Sequence, residues 1–202
     1  MSEIERRFVK YQLRAQTDGD KRRIIGYGAV FNSLSEDLGG FKELIMPGAF
    51  ADVLGDDVRS MFNHDPNLIL GRTNSGTLAL AEDDIGLRYE TDPPDTQYAR
   101  DLEASIDRGD VDQSSFGFRV LEESWRHPTE DEPLPIRVIH KFQRLYDVGP
   151  VTFPAYPTTS AGVRDMAKQL LTTGGATGES ADPGAAGRLA LRRRKLELLS
   201  KL

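Results

Sequence analysis

The stretch Asp110-Val-Asp-Gln-Ser-Ser-Phe-Gly-Phe-Arg-Val120 decides how this chain is read. Phe116, Phe118 and Val120 alternate with smaller or polar residues, which is the period of a β-strand. Ser114 and Ser115 stand at its entrance, after a polar turn. A serine in that place is held rigidly by the strand and can still face a cleft, which suits a nucleophile. More often such a serine only caps a turn. Two further segments strengthen the nucleophile reading: Phe62-Asn-His-Asp65 upstream, and Tyr146-Asp-Val-Gly-Pro-Val-Thr-Phe-Pro-Ala-Tyr-Pro157 downstream. Together the three supply a hydroxyl, an imidazole and a carboxylate, the parts of an activated-serine hydrolase.

The 202 residues suffice for one ordinary domain and a tail. With 38% hydrophobic and 29% charged residues, the composition is that of a globular rather than a disordered chain. It contains no cysteine, so disulfides, thiolate chemistry and cysteine-based zinc sites are excluded. No apolar run approaches the ~20 residues of a membrane span, and the N-terminus turns polar at once, unlike a signal peptide. The net charge of −6 is unevenly placed. Six cations face only Glu197 within residues 188–202, so that segment carries +5 and the rest −11. An acidic body is a poor nucleic-acid binder, and no direct nucleic-acid role is expected.

Outward from the serine strand, Val9, Tyr11, Leu13 and Ala15 alternate and predict a strand. Ile25, Tyr27, Ala29 and Phe31 predict another, with Gly26 and Gly28 on its other face allowing close packing. Pro47 to Leu54 fits one or two helical turns, and Val58 to Phe62 a short strand leading to His64. Leu78 and Leu80, then Ile85, Leu87 and Tyr89, predict a hairpin around Asp83-Asp84. Tyr98, Leu102 and Ile106 recur every four residues before Gly109, so residues 96–108 are predicted helical. Ile136, Val138, His140 and Phe142 are expected to share one strand face. Residues 160–171 read as a helix, 172–187 as a flexible Gly/Ala-rich linker, and 188–202 as a basic amphipathic helix. The strands are mostly sequential, with no regular strand–helix alternation. An α+β fold on an antiparallel sheet or barrel follows.

His127 lies among charges in a surface loop, and His140 sits on a strand face where a histidine more often serves packing than chemistry. His64 ends a strand and precedes the Asp65-Pro66 turn, where an imidazole can project over a cleft. The three histidines are too far apart in sequence for a metal site, so no metal or other cofactor is expected. Neither a Gly-x-Ser-x-Gly elbow nor a phosphate-cradling glycine loop is present, which sets the common serine-hydrolase folds aside.

The ordered set Asn63-His-Asp65, Leu70-Gly-Arg72, Ser114-Ser-Phe-Gly-Phe118 and Asp147-Val-Gly-Pro-Val-Thr-Phe-Pro-Ala-Tyr-Pro157 resembles the prohead proteases of tailed bacteriophages. Gly26-Tyr-Gly-Ala-Val-Phe31 and Met46-Pro-Gly-Ala-Phe50 belong to the same resemblance. That family resembles the herpesvirus assembly proteases in turn. The resemblance implies an antiparallel β-barrel-like core surrounded by helices, with the protease domain over residues 1–171 and a C-terminal helical tail. It implies a serine endopeptidase that cleaves the major capsid protein precursor and its scaffold segment, and itself, inside an assembling procapsid in the host cytoplasm. Self-association is compatible with this, and a membrane is not involved. Ser115 takes the nucleophile's place, directly before Phe-Gly-Phe, and Ser114 is its neighbour. His64 takes the general base's place and Asp147 the third. Gly149 stands where a serine is expected, and His140 is the alternative third member because the herpesvirus proteases use a second histidine. Arg72 and Arg119 are both candidates to assist the oxyanion. The alternative function is a non-enzymatic procapsid assembly module on the same fold.

Overall fold

The computed structural model describes residues 4–19, 21–153 and 161–173. Of the linker expected over 172–187, Thr172 and Thr173 are helical and the rest lies outside these residues, as do the basic helix 188–202 and the Pro154-Ala-Tyr-Pro157 end of the downstream motif. Ten strands run through the rest: β1 (Glu5–Val9), β2 (Arg14–Asp18), β3 (Lys21–Val30), β4 (Lys42–Ile45), β5 (Arg59–Met61), β6 (Ile69–Arg72), β7 (Leu78–Glu82), β8 (Gly86–Thr91), β9 (Gln113–Arg126) and β10 (Ile136–Val151). Two α-helices accompany them, α1 (Gln97–Asp107) and α2 (Ala161–Thr173).

The strands form two open sheets. One is ordered β1-β9-β10-β5-β6, with β4 also paired to β10, and the other β2-β3-β8-β7. β9 and β10 make a long antiparallel hairpin. Against its free edge β10 takes β4 with its first half and β5 with its second, both parallel. The segment between β4 and β5, expected as helical turns, is instead a run of i→i+3 turns such as Val53 N–H to Phe50 O. It carries the chain forward along β10, so that two parallel neighbours can share one edge.

The expected barrel is therefore corrected. Closure needs the outer strands of a sheet to pair with one another. β1 and β6 remain the edges of the first sheet, and β2 and β7 those of the second. The wrapping helices reduce to α1 and α2 among the described residues. The architecture is α+β, with one mixed and one antiparallel sheet.

The sheets meet through β3, β9 and β10. A Cβ placed on Gly28 of β3 would sit 2.9 Å from Val148 of β10, so the missing side chain there permits the approach. Ile24, Phe50, Leu87, Tyr89, Phe116, Phe118, Phe142, Leu145 and Val148 make the shared core. Each large apolar side chain buried this way contributes about 1.5–3 kcal/mol. Phe50 stacks on Phe142 at 4.3 Å between ring centroids, and Phe116 on Phe118 at 4.7 Å. A satellite cluster of Leu38, Phe41, Val163 and Ala167, flanked by Trp125, seats α2.

β1 is fastened by buried charge. Arg7 donates from Nε and Nη2 to Glu43 at 2.9 Å each. Arg137, 2% exposed, donates to Glu5 at 2.7 and 3.1 Å, to Glu43 at 3.1 Å and to Glu123 at 2.8 Å. Two guanidiniums thus bind three carboxylates drawn from β1, β4 and β9. Such a network is held together by mutual satisfaction, because each ion alone would be costly to bury.

Candidate active site

β9 sorts its side chains to two faces. Ser114, Phe116 and Phe118 turn to the core, where the fully buried Ser114 hydroxyl pairs with Tyr89 Oη at 2.8 Å. By the two-residue period, Ser115, Gly117 and Arg119 turn the other way. Across the ladder, Gly117 faces Asp147 and Ser115 faces Gly149. On β10 the register slips between Leu145 and Asp147, leaving Tyr146 as the extra residue of a bulge. Leu145 points to the core, so regular alternation would send Asp147 there too. The bulge turns its carboxylate to the face of Ser115, a use of bulges that recurs beside active sites.

His64 arrives from β5. The turn Phe62–His64 follows that strand, and Asn63 and His64 both have φ of +56°. Asparagine takes this left-handed backbone readily; histidine does so at some cost, which the surroundings must hold. Asn63 Oδ1 accepts from the Thr152 backbone N–H at 2.9 Å and so pins the turn to the end of β10. A Cβ on Gly149 would collide with the Met61 backbone, so the bare glycine lets this segment settle beside Ser115.

The structure thus brings together the three residues singled out in the sequence. His64 Nε2 lies 2.7 Å from Ser115 Oγ, and Nδ1 of the same ring is hydrogen-bonded to Asp147 Oδ1. Ser115 is 2% exposed and Asp147 5%. With Nδ1–H donated to the carboxylate, Nε2 carries the lone pair that can accept the serine proton. His140 is not brought to this group; its Nε2 pairs with Ser124 Oγ at 2.7 Å on the outer part of the hairpin. Arg72 is held elsewhere too, in a two-pronged pair with Asp57 at 2.6 and 2.7 Å that keeps the Asp57 carboxyl below its usual range. No group of metal-binding side chains occurs among the described residues.

One neighbour was not legible in the sequence. Ser115 Oγ also donates to the carbonyl of Arg7 on β1 at 2.8 Å. The hydroxyl has a single proton and two acceptors, so transfer to His64 requires it to rotate away from β1. Nothing in the local pattern of residues 5–9 signals this contact. Glu5 and Arg7 lie before the strand expected from Val9 to Ala15, so no strand pairing of either was expected.

The Caudovirus prohead serine protease family matches residues 9–171. The prohead protease of Enterobacteria phage HK97 is 31% identical over 165 residues, covering 79% of this chain and 66% of that protein. The chain thus matches just under two thirds of that relative's length. No solved structure matches. With most of its length inside that match, this chain belongs to the Caudovirus prohead serine protease family.

Proposed function

We propose that the chain is a serine endopeptidase that cleaves capsid precursor and scaffold proteins, and itself, during procapsid maturation in the host cell. The observation that carries this reading is the continuous link from Ser115 Oγ through the His64 ring to Asp147. Neutral His64 takes the serine proton at Nε2 as Oγ attacks the peptide carbonyl carbon. Asp147 holds the tautomer and stabilises the imidazolium that forms. The tetrahedral intermediate collapses as Nε2–H passes its proton to the leaving amine, and the C–N bond breaks. Water, deprotonated by His64, then attacks the acyl-serine ester and releases the new carboxylate together with the free hydroxyl.

The test is a fluorophosphonate adduct mapped by mass spectrometry, run beside co-expression with the capsid precursor. Labelling at Ser115 and trimming of the precursor are expected, and both are lost in Ser115→Ala. A folded protein that neither labels nor trims overturns the reading in favour of an assembly module.

A further inference from the structure

The face of β9 that carries Ser115 continues to Arg119. There Arg119 stands directly across the ladder from Arg144 of β10, two cations opposite one another. Tyr146, the residue extruded by the bulge beside Asp147, lies between them. The Arg119 guanidinium is 5.5 Å from its ring centroid and that of Arg144 5.8 Å. With Gln143 these residues line an open cleft of about 470 Å³.

Two like charges directly opposite on a sheet destabilise it unless an anion intervenes. Little intervenes here. Arg119 makes no ion pair among the described residues, and its buried Nε has no hydrogen-bond partner. Among the described residues, the one carboxylate Arg144 reaches is Asp56, at 3.8 Å. Both cations sit on a body whose net charge is strongly negative, so the paired cationic cleft contrasts with its surroundings. Arginine, with a planar fork of donors, suits a carboxylate, and the tyrosine ring orders both forks at once.

We infer that Arg119, Arg144 and Tyr146 form a subsite for an acidic side chain of the substrate, Asp or Glu, a few residues from the bond that Ser115 attacks. This rests on the proposed endopeptidase activity. Arg119 lies four residues along the strand from Ser115, a span of roughly 13 Å at about 3.3 Å per residue. An extended peptide lying along this face would therefore offer its acid about three or four residues from the cut. These are specificity residues that bind the substrate and take no part in proton transfer.

The test uses the full chain and a degenerate peptide library, with cut sites mapped by mass spectrometry. The wild type is expected to enrich Asp or Glu at one position about three or four residues from the cut. Arg119→Gln and Arg144→Gln each weaken that enrichment, and the double variant erases it. For a peptide carrying the acid, the double variant raises KM about tenfold or more, the size of losing a charge-assisted hydrogen bond, and affects kcat less. Changing the acid to its amide in the peptide does the same to the wild type, and combining the two changes adds nothing further. Since the cations repel in the free protein, Arg119→Gln leaves the melting temperature unchanged or raises it, which a merely structural arginine would not do. Cutting without an acidic preference, or a preference that survives in the double variant, overturns the subsite and leaves the activity standing. A wild type that neither labels with fluorophosphonate nor cuts overturns the activity, and the subsite with it.

Discussion

Gly117 and Asp147 face one another across the β9–β10 ladder, and a methyl group on Gly117 would lie 2.6 Å from Asp147 Oδ2. The carboxylate that orients His64 occupies the space a side chain would fill. Gly117→Ala must displace it, so activity is expected to fall by about 10² or more while the circular dichroism spectrum is kept. Asp147→Asn is expected to lose up to about 10⁴, the loss that the corresponding change causes in chymotrypsin-like triads. His140→Ala and His127→Ala should stay within about twofold of the wild type, since neither contacts the group; rates on one peptide substrate decide. Activity lost in His140→Ala but kept in Asp147→Asn would move the third role to His140.

Two adjacent serines allow a clean separation of chemistry from packing. Ser115→Ala should abolish turnover with little change in stability. Ser114→Ala should keep most of the turnover but destabilise the fold by about 1–3 kcal/mol, because the buried Tyr89 hydroxyl loses its partner. Urea unfolding and precursor trimming, measured on the same preparations, give both quantities. The opposite pattern would assign the nucleophile to Ser114.

The charged clamp on β1 gives a third expectation. Arg137→Met leaves Glu5, Glu43 and Glu123 with only Arg7 among them, and should cost about 3–5 kcal/mol in urea unfolding. The rate should fall as well, because the carbonyl beside Ser115 belongs to the strand this clamp holds. A loss under about 1 kcal/mol would show that the carboxylates find protons or water instead.

Alkali should attack the core at Tyr89. Burial pushes its phenol well above the ordinary tyrosine range, opposed only in part by the Ser114 hydrogen bond. The folded state therefore favours the neutral form. That stability is complete below the unfolded value near pH 10 and is lost as the pH rises beyond it. Tyr27 follows the same sign, raised to about 12 by burial and by Asp83. The double change Tyr89→Phe with Ser114→Ala removes both hydroxyls, so no polar atom is stranded, and should shift the alkaline unfolding midpoint upward. Phenolate absorbance followed alongside circular dichroism tests this; an unmoved midpoint would assign alkaline unfolding to other groups.

The candidate site residues were legible because each sits in a short, distinctive local run, and most strands were legible from alternation. The strand expected from Val9 to Ala15 instead spans the break between β1 and β2, and β10 was legible as extended chain but not in which of its residues face the core. From Ile139 on, its buried large apolar side chains Ile139, Phe142, Leu145, Val148 and Val151 recur every third residue, because repeated register slips insert extra residues into the ladder. That spacing matches neither a regular strand nor a helix, so Phe142 and His140 were placed on one face. In fact Phe142 is in the core and His140 pairs with Ser124. The parallel pairing of β4 and β5 with β10 joins segments far apart in sequence, and local pattern cannot register it. Without it the strands read as successive antiparallel neighbours, which favours a barrel over two open sheets. The burial of Glu5, Arg7, Glu43 and Arg137 was not legible either, because only their mutual pairing makes it tolerable.

The seating of β1 against Ser115 also fixes when this machinery can come into being. Ser115 Oγ touches the carbonyl of residue 7 and the ring of residue 64, and that ring is bonded in turn to the carboxylate of residue 147. A chain still emerging from the ribosome holds the serine and the histidine well before the strand that bears Asp147. Chains arrested at residue 140 should therefore give no fluorophosphonate adduct, whereas released full-length chains should; equal labelling of both would contradict this. In the proposed mechanism an unfinished chain lacks the carboxylate, and the link from Ser115 to Asp147 closes only once β10 has paired with β9.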